Sequence, residues 1–190
     1  MPDLLLTLAL ITLGGVGGQK SPSACTYRGT RDSLAARVSP LDSAQVRMPG
    51  GIVKLCYGRP SVRGRQVMDS LVPFGTPWRL GANEPTRLFL PFAAQVAGVP
   101  VGRGAYSLYV VPRAAEWEVH VNRVVDRWGI PIDSVVTKRD VGTGTVAVEP
   151  LSQPVEELTM HFGPVAQGAT EIVVEWEKTR VRIPIQARRH

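Results

Sequence analysis

Residues and motifs that carry common enzyme chemistry are scarce in this sequence. Its 190 residues include three histidines and two cysteines, and the patterns Cys-x-x-Cys, His-Glu-x-x-His, Gly-x-Ser-x-Gly and the Walker loop do not occur. Two Gly-x-Gly pairs, at 102–104 and 142–144, lead into strand patterns rather than helices, so they predict no dinucleotide site. His120 and His161 are scattered and lack the neighbouring ligands that zinc needs. The sequence therefore predicts no catalytic residue, no metal and no cofactor.

An apolar run long enough to cross a bilayer is also lacking. The apolar run at 4–13 has about ten residues, against the roughly 20 of a membrane-spanning helix, and small residues follow it at 14–18. This arrangement is typical of a secretory signal peptide, which we predict at 1–20, although Asp3 stands where a positive charge is usual. We expect an exported protein, periplasmic or extracellular, with no transmembrane span. The alternative is a buried strand or helix at a cytoplasmic N-terminus.

Negative charge is in the minority. Lys and Arg number 22 against 16 acidic residues, which gives a net charge of +6. This excess favours an anionic partner, such as an envelope surface or an acidic small molecule, and a basic surface that serves only solubility is the alternative. Nucleic acid is not predicted, because the arginines lack interleaved stacking aromatics and export removes the usual partner.

The two cysteines, Cys25 and Cys56, leave three possibilities open. In an oxidising compartment they can form a disulfide, and closing a loop of about 31 residues would stabilise the fold by about 3–4 kcal/mol. Two free thiols are the second possibility. A lipid anchor on Cys25 is the third, and Pro22 disfavours it because a lipoprotein signal prefers leucine there.

Alternation of apolar and polar residues dominates the chain after a Ser-rich segment at 21–43, which we predict to be a tether. The strand patterns are GGIVKLCYG, TRLFLPF, AAQVAGVPV, GAYSLYVVP, EWEVHVN, TGTVAVEP, VEELTMHFG and TEIVVEWEKTRVRIPIQ, the last a hairpin that turns at EKTR. Helix is indicated weakly at 65–71 and 131–139. We predict one all-β domain at 44–190, an antiparallel β-sandwich of about eight strands, with a small closed β-barrel as the alternative.

The segment 57–86, YGRPSVRGRQVMDSLVPFGTPWRLGANEPT, interrupts this alternation. A connection of about thirty residues without strands is unusual unless it is functional or firmly attached. Its guanidinium, amide and carboxylate groups could hold an anionic ligand beside a stacking tryptophan. The alternative is an Arg–Glu clamp that ties the connection to the sheet, and a fixed loop is also a preorganised one. The predicted ligand-binding residues are Arg59, Arg65, Trp78, Arg79, Asn83 and Glu84.

Several motifs follow one another in a recognisable order: YGRPSVRGR, LVPFGTPWRLGANEPT, GRGAYSLYVVP, EWEVHVN and RWG. In this order they resemble the DUF2911 family, exported bacterial proteins of unknown function, over roughly residues 40–150. The resemblance implies export and an all-β domain, and it supplies no catalytic residue. After the Trp-Gly pair such proteins usually carry a tyrosine where this chain has IPIDSVV, so no role is carried over there.

Three functions fit these observations. The first is a non-enzymatic binding module for an anionic or polyhydroxylated envelope ligand. The second is a structural or assembly protein of the cell envelope that docks on a partner through a strand edge or an apolar patch. The third is a hydrolase with Glu84 as base, although no nucleophile or second catalytic group accompanies it. An arginine neighbour would keep Glu84 ionised, which suits binding better than acid catalysis.

Overall fold

The computed structural model describes Cys25 and residues 27–188. The predicted signal peptide lies outside the described residues. Within them, nine strands and two short helices form a mostly antiparallel β structure. The strands are β1 (Leu41–Met48), β2 (Gly51–Gly58), β3 (Thr86–Leu90), β4 (Ala94–Val96), β5 (Val99–Val101), β6 (Gly104–Pro112), β7 (Glu116–Asn122), β8 (Asp140–Phe162) and β9 (Ala169–Ala187), and the helices are α1 (Arg31–Ala35) and α2 (Ser134–Thr137). The predicted all-β class is confirmed.

The strands are hydrogen-bonded in the order β1-β2-β3-β6-β7-β8-β9-β4-β5, and the arrangement does not close. The long strand β8 belongs to both layers, because it pairs with β7 over residues 140–147 and with β9 over residues 148–162. One layer therefore holds β1, β2, β3, β6 and β7, and the other holds β9, β4 and β5. This is the predicted sandwich rather than the closed barrel.

One apolar core lies between the layers. Residues that alternate along the strands supply it, since successive side chains of a strand point to opposite faces. Trp78 is partly buried and packs against this core, stacked on the buried Trp176 at 5.6 Å and edge-on to the buried Trp117 at 5.8 Å between ring centroids. Alternate residues of the later strands are buried, as shown by Leu158, Met160, Ile172, Val174, Val181, Ile183 and Ile185.

The predicted C-terminal hairpin is absent, because β9 runs without a turn through residues 177–180. Glu177 has a positive φ of 52°, and the register of β8 against β9 shifts on both sides of Val155. Such bulges bend a strand pair without ending it. The carboxylate of Glu177 accepts hydrogen bonds from the N–H groups of Val67 and Met68 at 3.1 and 3.4 Å. Glu177, part of the predicted turn EKTR, thus holds the long connection against the sheet.

Part of the predicted tether is regular structure. Strand β1 begins at Leu41 and pairs with β2 along its whole length, from Leu41 opposite Gly58 to Met48 opposite Gly51. Ahead of it stands α1, whose N-cap Thr30 accepts a hydrogen bond from the N–H of Ser33. Of the two segments where helix was indicated, 131–139 contains α2 and 65–71 forms turns. No helix in the part of the chain that the structure describes has the length and apolar character needed to span a bilayer.

Candidate functional site

The segment between the first cysteine and β1 lies across the polar loops of the sheet, and we call residues 27–39 the N-terminal strap. A disulfide joins Cys25 to Cys56 of β2, with the two Cα atoms 5.8 Å apart, so neither thiol is free and Cys25 has no sulfur left for a lipid. Two residues on, the hydroxyl of Tyr27 donates to the carbonyl of Asp42 at 3.4 Å. The strap is thereby fixed to the first two strands at its start.

Glu84 lies beneath the strap and is 4% exposed. Both of its carboxylate oxygens accept from Arg37, at 2.6 and 2.9 Å, and one also accepts the backbone N–H of Arg28 at 3.0 Å. Burial alone would raise the pKa of Glu84, but these hydrogen bonds outweigh it and hold the pKa below its usual value. Glu84 is therefore an ionised anchor for the strap.

The loop before β3 presents Glu84 through a tight backbone path. Leu80 and Asn83 have positive φ values of 53° and 64°, and Gly81 has 155°. The N–H of Ala82 donates to the carbonyl of Gly58 at 3.2 Å, and a Cβ on Gly58 would lie 2.1 Å from the Ala82 carbonyl oxygen. Glycine is therefore required at 58 because the Ala82 backbone lies too close for a side chain, and at 81 because the backbone has a positive φ.

An open cavity of about 310 Å³ lies between the strap and the sheet. Six residues line it: Tyr27, Arg28, Glu84, Arg87, Asp126 and Arg127. Arg87 of β3 is 6% exposed, and its guanidinium lies 5.4 Å from the ring centroid of Tyr27. Arg28 and Asp126 form an exposed pair at 3.4 Å. Three arginines thus face two carboxylates, one of which, Glu84, is already neutralised by Arg37.

Arg127 contributes a positive charge to the cavity. Among the described residues, no carboxylate forms an ion pair with it. Its Nη1 donates to the carbonyls of Trp128 and Gly129 at 2.9 and 2.8 Å. Its Nε and Nη2 are shielded from water and have no hydrogen-bond partner in the described part of the chain. Burial lowers the pKa of Arg127, and the nearby groups of Tyr109, Asp133 and Asp140 counter this only in part. A buried cation with unsatisfied donors favours an anion close by.

A polar network behind Arg127 holds the loop that carries it. Asp140 accepts hydrogen bonds from the hydroxyl of Tyr109 at 2.5 Å and from the amide of Asn122 at 2.6 Å, and it lies 3.0 Å from Nδ1 of His120. Burial, followed by the contact with Asp140, raises the pKa of Tyr109 strongly. The same Asn122 amide donates to the Val136 carbonyl in α2 at 2.7 Å. Since Nε2 of His120 is shielded from solvent, this network suits a structural role rather than proton transfer to a substrate.

The six sequence-predicted site residues lie in different surroundings. Arg59 pairs with Glu157 at 3.1 Å and with Asp42 at 3.5 Å. Arg65 is exposed and donates to the carbonyls of Ser61 and Val62 at 2.7 and 2.9 Å. Arg59 thus ties the start of the long connection to β1 and β8, whereas Arg65 contacts the backbone of the connection itself.

The other four lie nearer to the strap or against the core. Trp78 is partly buried and packs against the core. Arg79 is half-buried and donates to the Gly81 carbonyl at 3.2 Å, and burial lowers its pKa. Asn83 donates to the carbonyl of Ser39 at 3.3 Å, so it fastens the end of the strap. Of the predicted six, Glu84 alone lines the cavity.

Sequence reasoning missed five of the six lining residues. Tyr27 and Arg28 stood in the predicted tether, and Arg87 stood in the predicted strand TRLFLPF. A signal was available for two of them: Arg87 is the only charge in the apolar strand TRLFL, and Arg127 directly precedes the Trp-Gly motif. The described residues contain no cluster of three or more His, Cys, Asp or Glu side chains able to hold a metal ion.

Comparison with known proteins gives one match. A family model described as "Protein of unknown function (DUF2911)" matches residues 39–185. No curated protein and no solved structure matches the chain. The matched range contains Glu84, Arg87, Asp126 and Arg127, whereas Tyr27 and Arg28 precede it.

Proposed function

The chain belongs to the DUF2911 family of proteins of unknown function, and we propose that it is an exported, non-enzymatic binding protein that holds a small anionic ligand in the cavity beneath its N-terminal strap. Export is supported by the predicted signal peptide and by the disulfide, since disulfides persist mainly in oxidising compartments. The observation that carries the proposal is the convergence of Arg28, Arg87 and Arg127 on one open cavity.

The balance of charge at this cavity favours an anion. Glu84 is neutralised by Arg37, and Asp126 is 88% exposed in its side chain, where water screens its charge. Arg127 is shielded and forms no ion pair with a carboxylate of the described residues, so its field is weakened far less. A carboxylate or phosphate entering the cavity would gain charge-assisted contacts that a neutral molecule lacks.

A polyhydroxylated ligand has less support. The sugar-binding version of the prediction relied on Trp78 as a stacking wall, but one face of this ring is taken by Trp176 and the ring also meets Trp117. Tyr27 is the aromatic residue at the cavity, and its ring lies against Arg87. We therefore place the anionic group, rather than hydroxyl groups, at the centre of recognition.

A hydrolase that uses Glu84 as base is disfavoured by the same geometry. A general base must accept a proton from its substrate, and its pKa should lie near the working pH. Glu84 instead has a lowered pKa and gives both oxygens to Arg37. This arrangement suits holding a strap better than moving a proton.

The test is a thermal-shift and calorimetric screen of the oxidised protein at low ionic strength. The probes are inorganic phosphate, citrate and a hexose phosphate, with the neutral hexose for comparison. We expect the anions to raise the melting temperature and the neutral sugar to leave it unchanged. Arg127→Gln and Arg87→Gln should weaken binding about tenfold or more, because a hydrogen bond to a charged group contributes about 1.5–3 kcal/mol.

Arg65→Gln is the matched control, because Arg65 is exposed and contacts backbone carbonyls outside the cavity. It should bind the anions as the wild type does. The proposal fails if no anion shifts the wild-type midpoint, or if the Arg127 and Arg65 variants respond alike.

A further inference from the structure

The cavity is built from two parts of the chain that meet only through the fold. The sheet and its loops supply Glu84, Arg87, Asp126 and Arg127, and the strap supplies Tyr27 and Arg28. Without the strap, Glu84 would lose its hydrogen bonds from Arg37 and from the Arg28 N–H. The anion site is therefore complete only when the strap is docked.

Little apolar burial holds the strap in place. The strap contains Val38, which is 68% exposed, and α1, whose five residues include no buried side chain among those described. Most of its attachments are polar: the pair of Arg37 with Glu84, the Asn83 amide on Ser39, and the Tyr27 hydroxyl on Asp42. Two cation–π contacts add to them, Arg37 over the Trp128 ring at 5.9 Å and Arg87 over the Tyr27 ring at 5.4 Å. A segment with few buried apolar contacts opens readily unless it is covalently tied.

The covalent tie lies directly beside the site. Cys56 is the cross-strand partner of Arg87 in the pairing of β2 with β3, so the disulfide brings the strap over that arginine. Cys56 also pairs with Ser43 of β1, and these strand pairings do not depend on the disulfide. Breaking the bond should release the strap and leave the sandwich folded.

We propose that the Cys25–Cys56 disulfide is a redox latch, so that the protein binds its anion in the oxidised form and loses affinity when a dithiol reduces the bond. The latch rests on the proposed function, because it regulates the same cavity. Cys25 is partly exposed and Cys56 is 1% exposed, so the attacking thiolate of the dithiol reaches the sulfur of Cys25.

The reduction proceeds in two steps. Attack forms a mixed disulfide with Cys25 and expels Cys56 as a thiolate, which takes up a proton. The second thiol of the reductant then displaces Cys25, also as a thiol after protonation. The protein gains two thiols, and the dithiol leaves as its own disulfide. Tyr27 and Arg28, the strap residues that line the cavity, then lose the covalent link to β2 that preceded them in the chain.

The first measurement needs no ligand. Hydrogen exchange of the Arg28 N–H, which donates to Glu84, reports whether the strap is docked. We expect reduction of the wild type to cut its protection about tenfold or more, while amides in β6 and β7 keep theirs. Cys25→Ser should show the same loss without reductant and no further change when reductant is added, which controls for other effects of the dithiol.

The second measurement is the affinity for inorganic phosphate by calorimetry, in oxidised and reduced protein. If the docked form falls to a minor population, the apparent Kd rises by the inverse of that population, so we expect at least about a tenfold increase.

Equal Arg28 protection in both forms overturns the latch, and so does equal phosphate affinity. Loss of β6 and β7 protection on reduction also overturns it, because the disulfide would then stabilise the whole fold. If oxidised protein does not bind phosphate while Arg28 protection still depends on the disulfide, the anion-binding function fails and the fastening of the strap stands.

Discussion

Replacing Arg37 by methionine removes the cation that holds Glu84 and keeps a side chain of similar length over the loop. The side chains of Arg37 and Glu84 are 13% and 6% exposed, and two hydrogen bonds join them. Removing one partner of a buried pair typically costs about 3–5 kcal/mol, because the other charge stays buried. Here the strap can lift and let water reach Glu84, so we expect Arg37→Met to lower the free energy of unfolding by a smaller amount, about 2–3 kcal/mol.

A double-mutant cycle measures the pair itself. Arg37→Met, Glu84→Gln and the double variant would be unfolded in urea with the disulfide intact, and we expect a coupling energy above about 1 kcal/mol. The exposed pair of Arg28 with Asp126 is the control, and Asp126→Asn should change stability by less than about 0.5 kcal/mol.

The same pair predicts a dependence on pH. The pKa of Glu84 in the folded protein lies below its ordinary value of 4.5, so the stabilising contribution of Glu84 is present above that pH and is lost as the pH falls through the lower folded pKa. The stability gap between wild type and Glu84→Gln should therefore narrow below pH 4.5. A coupling energy near zero, or a gap that does not change in acid, would refute the idea that Arg37 and Glu84 fasten the strap.

Three further predictions concern the surroundings of the site. Gly129→Ala should cost about 1–3 kcal/mol in urea unfolding, because its Cβ would lie 2.3 Å from a neighbouring arginine carbon and from a backbone oxygen. Gly102→Ala, whose Cβ would meet nothing closer than 3.9 Å, should be tolerated, and equal costs would contradict the packing. Burial raises the pKa of Tyr27 and Tyr57 to about 12, so tyrosinate absorbance should show both still protonated at pH near 11. Because the unfolded chain loses these protons at lower pH, the contribution of the two tyrosines to stability should be lost between about pH 10 and 12. Asp140→Ala should cost about 2–3 kcal/mol by the same unfolding assay, since three polar partners lose their acceptor, and a change under about 0.5 kcal/mol would argue against the network.

Alternation along the chain predicted most of the strands, and the reason is physical. A strand between two layers must turn every second side chain inward, and segments such as EWEVHVN and VEELTMHF do this visibly. Strand β1 was missed because it pairs on one side only and many of its side chains are half-exposed, which weakens the apolar signal. The segment EKTR was read as a turn because a bulge and a turn use similar polar residues.

The site was harder to predict because its parts are distant in sequence. The motif around Glu84 pointed to one loop that lines the cavity, and a clamp of an arginine on a glutamate was among the alternatives. The arginine that holds Glu84 is Arg37 of the strap, whereas Arg79 donates to the Gly81 carbonyl. Arg127 is brought to the cavity by a loop that the network around Asp140 supports. Contacts of this kind are set by tertiary packing, which local patterns do not encode.

The most direct test of anion binding follows the arginine side chains themselves. Isotope-labelled, oxidised protein would be titrated with inorganic phosphate at low ionic strength, and the guanidinium resonances would be assigned with single Arg→Gln variants. We predict saturable shifts of the Arg87 and Arg127 resonances. The resonances of Arg65 and of Arg113, which pairs with Glu118 at 2.9 Å and does not line the cavity, should stay unchanged. Saturable shifts confined to arginines outside the cavity, or no saturable shift at all, would contradict the account.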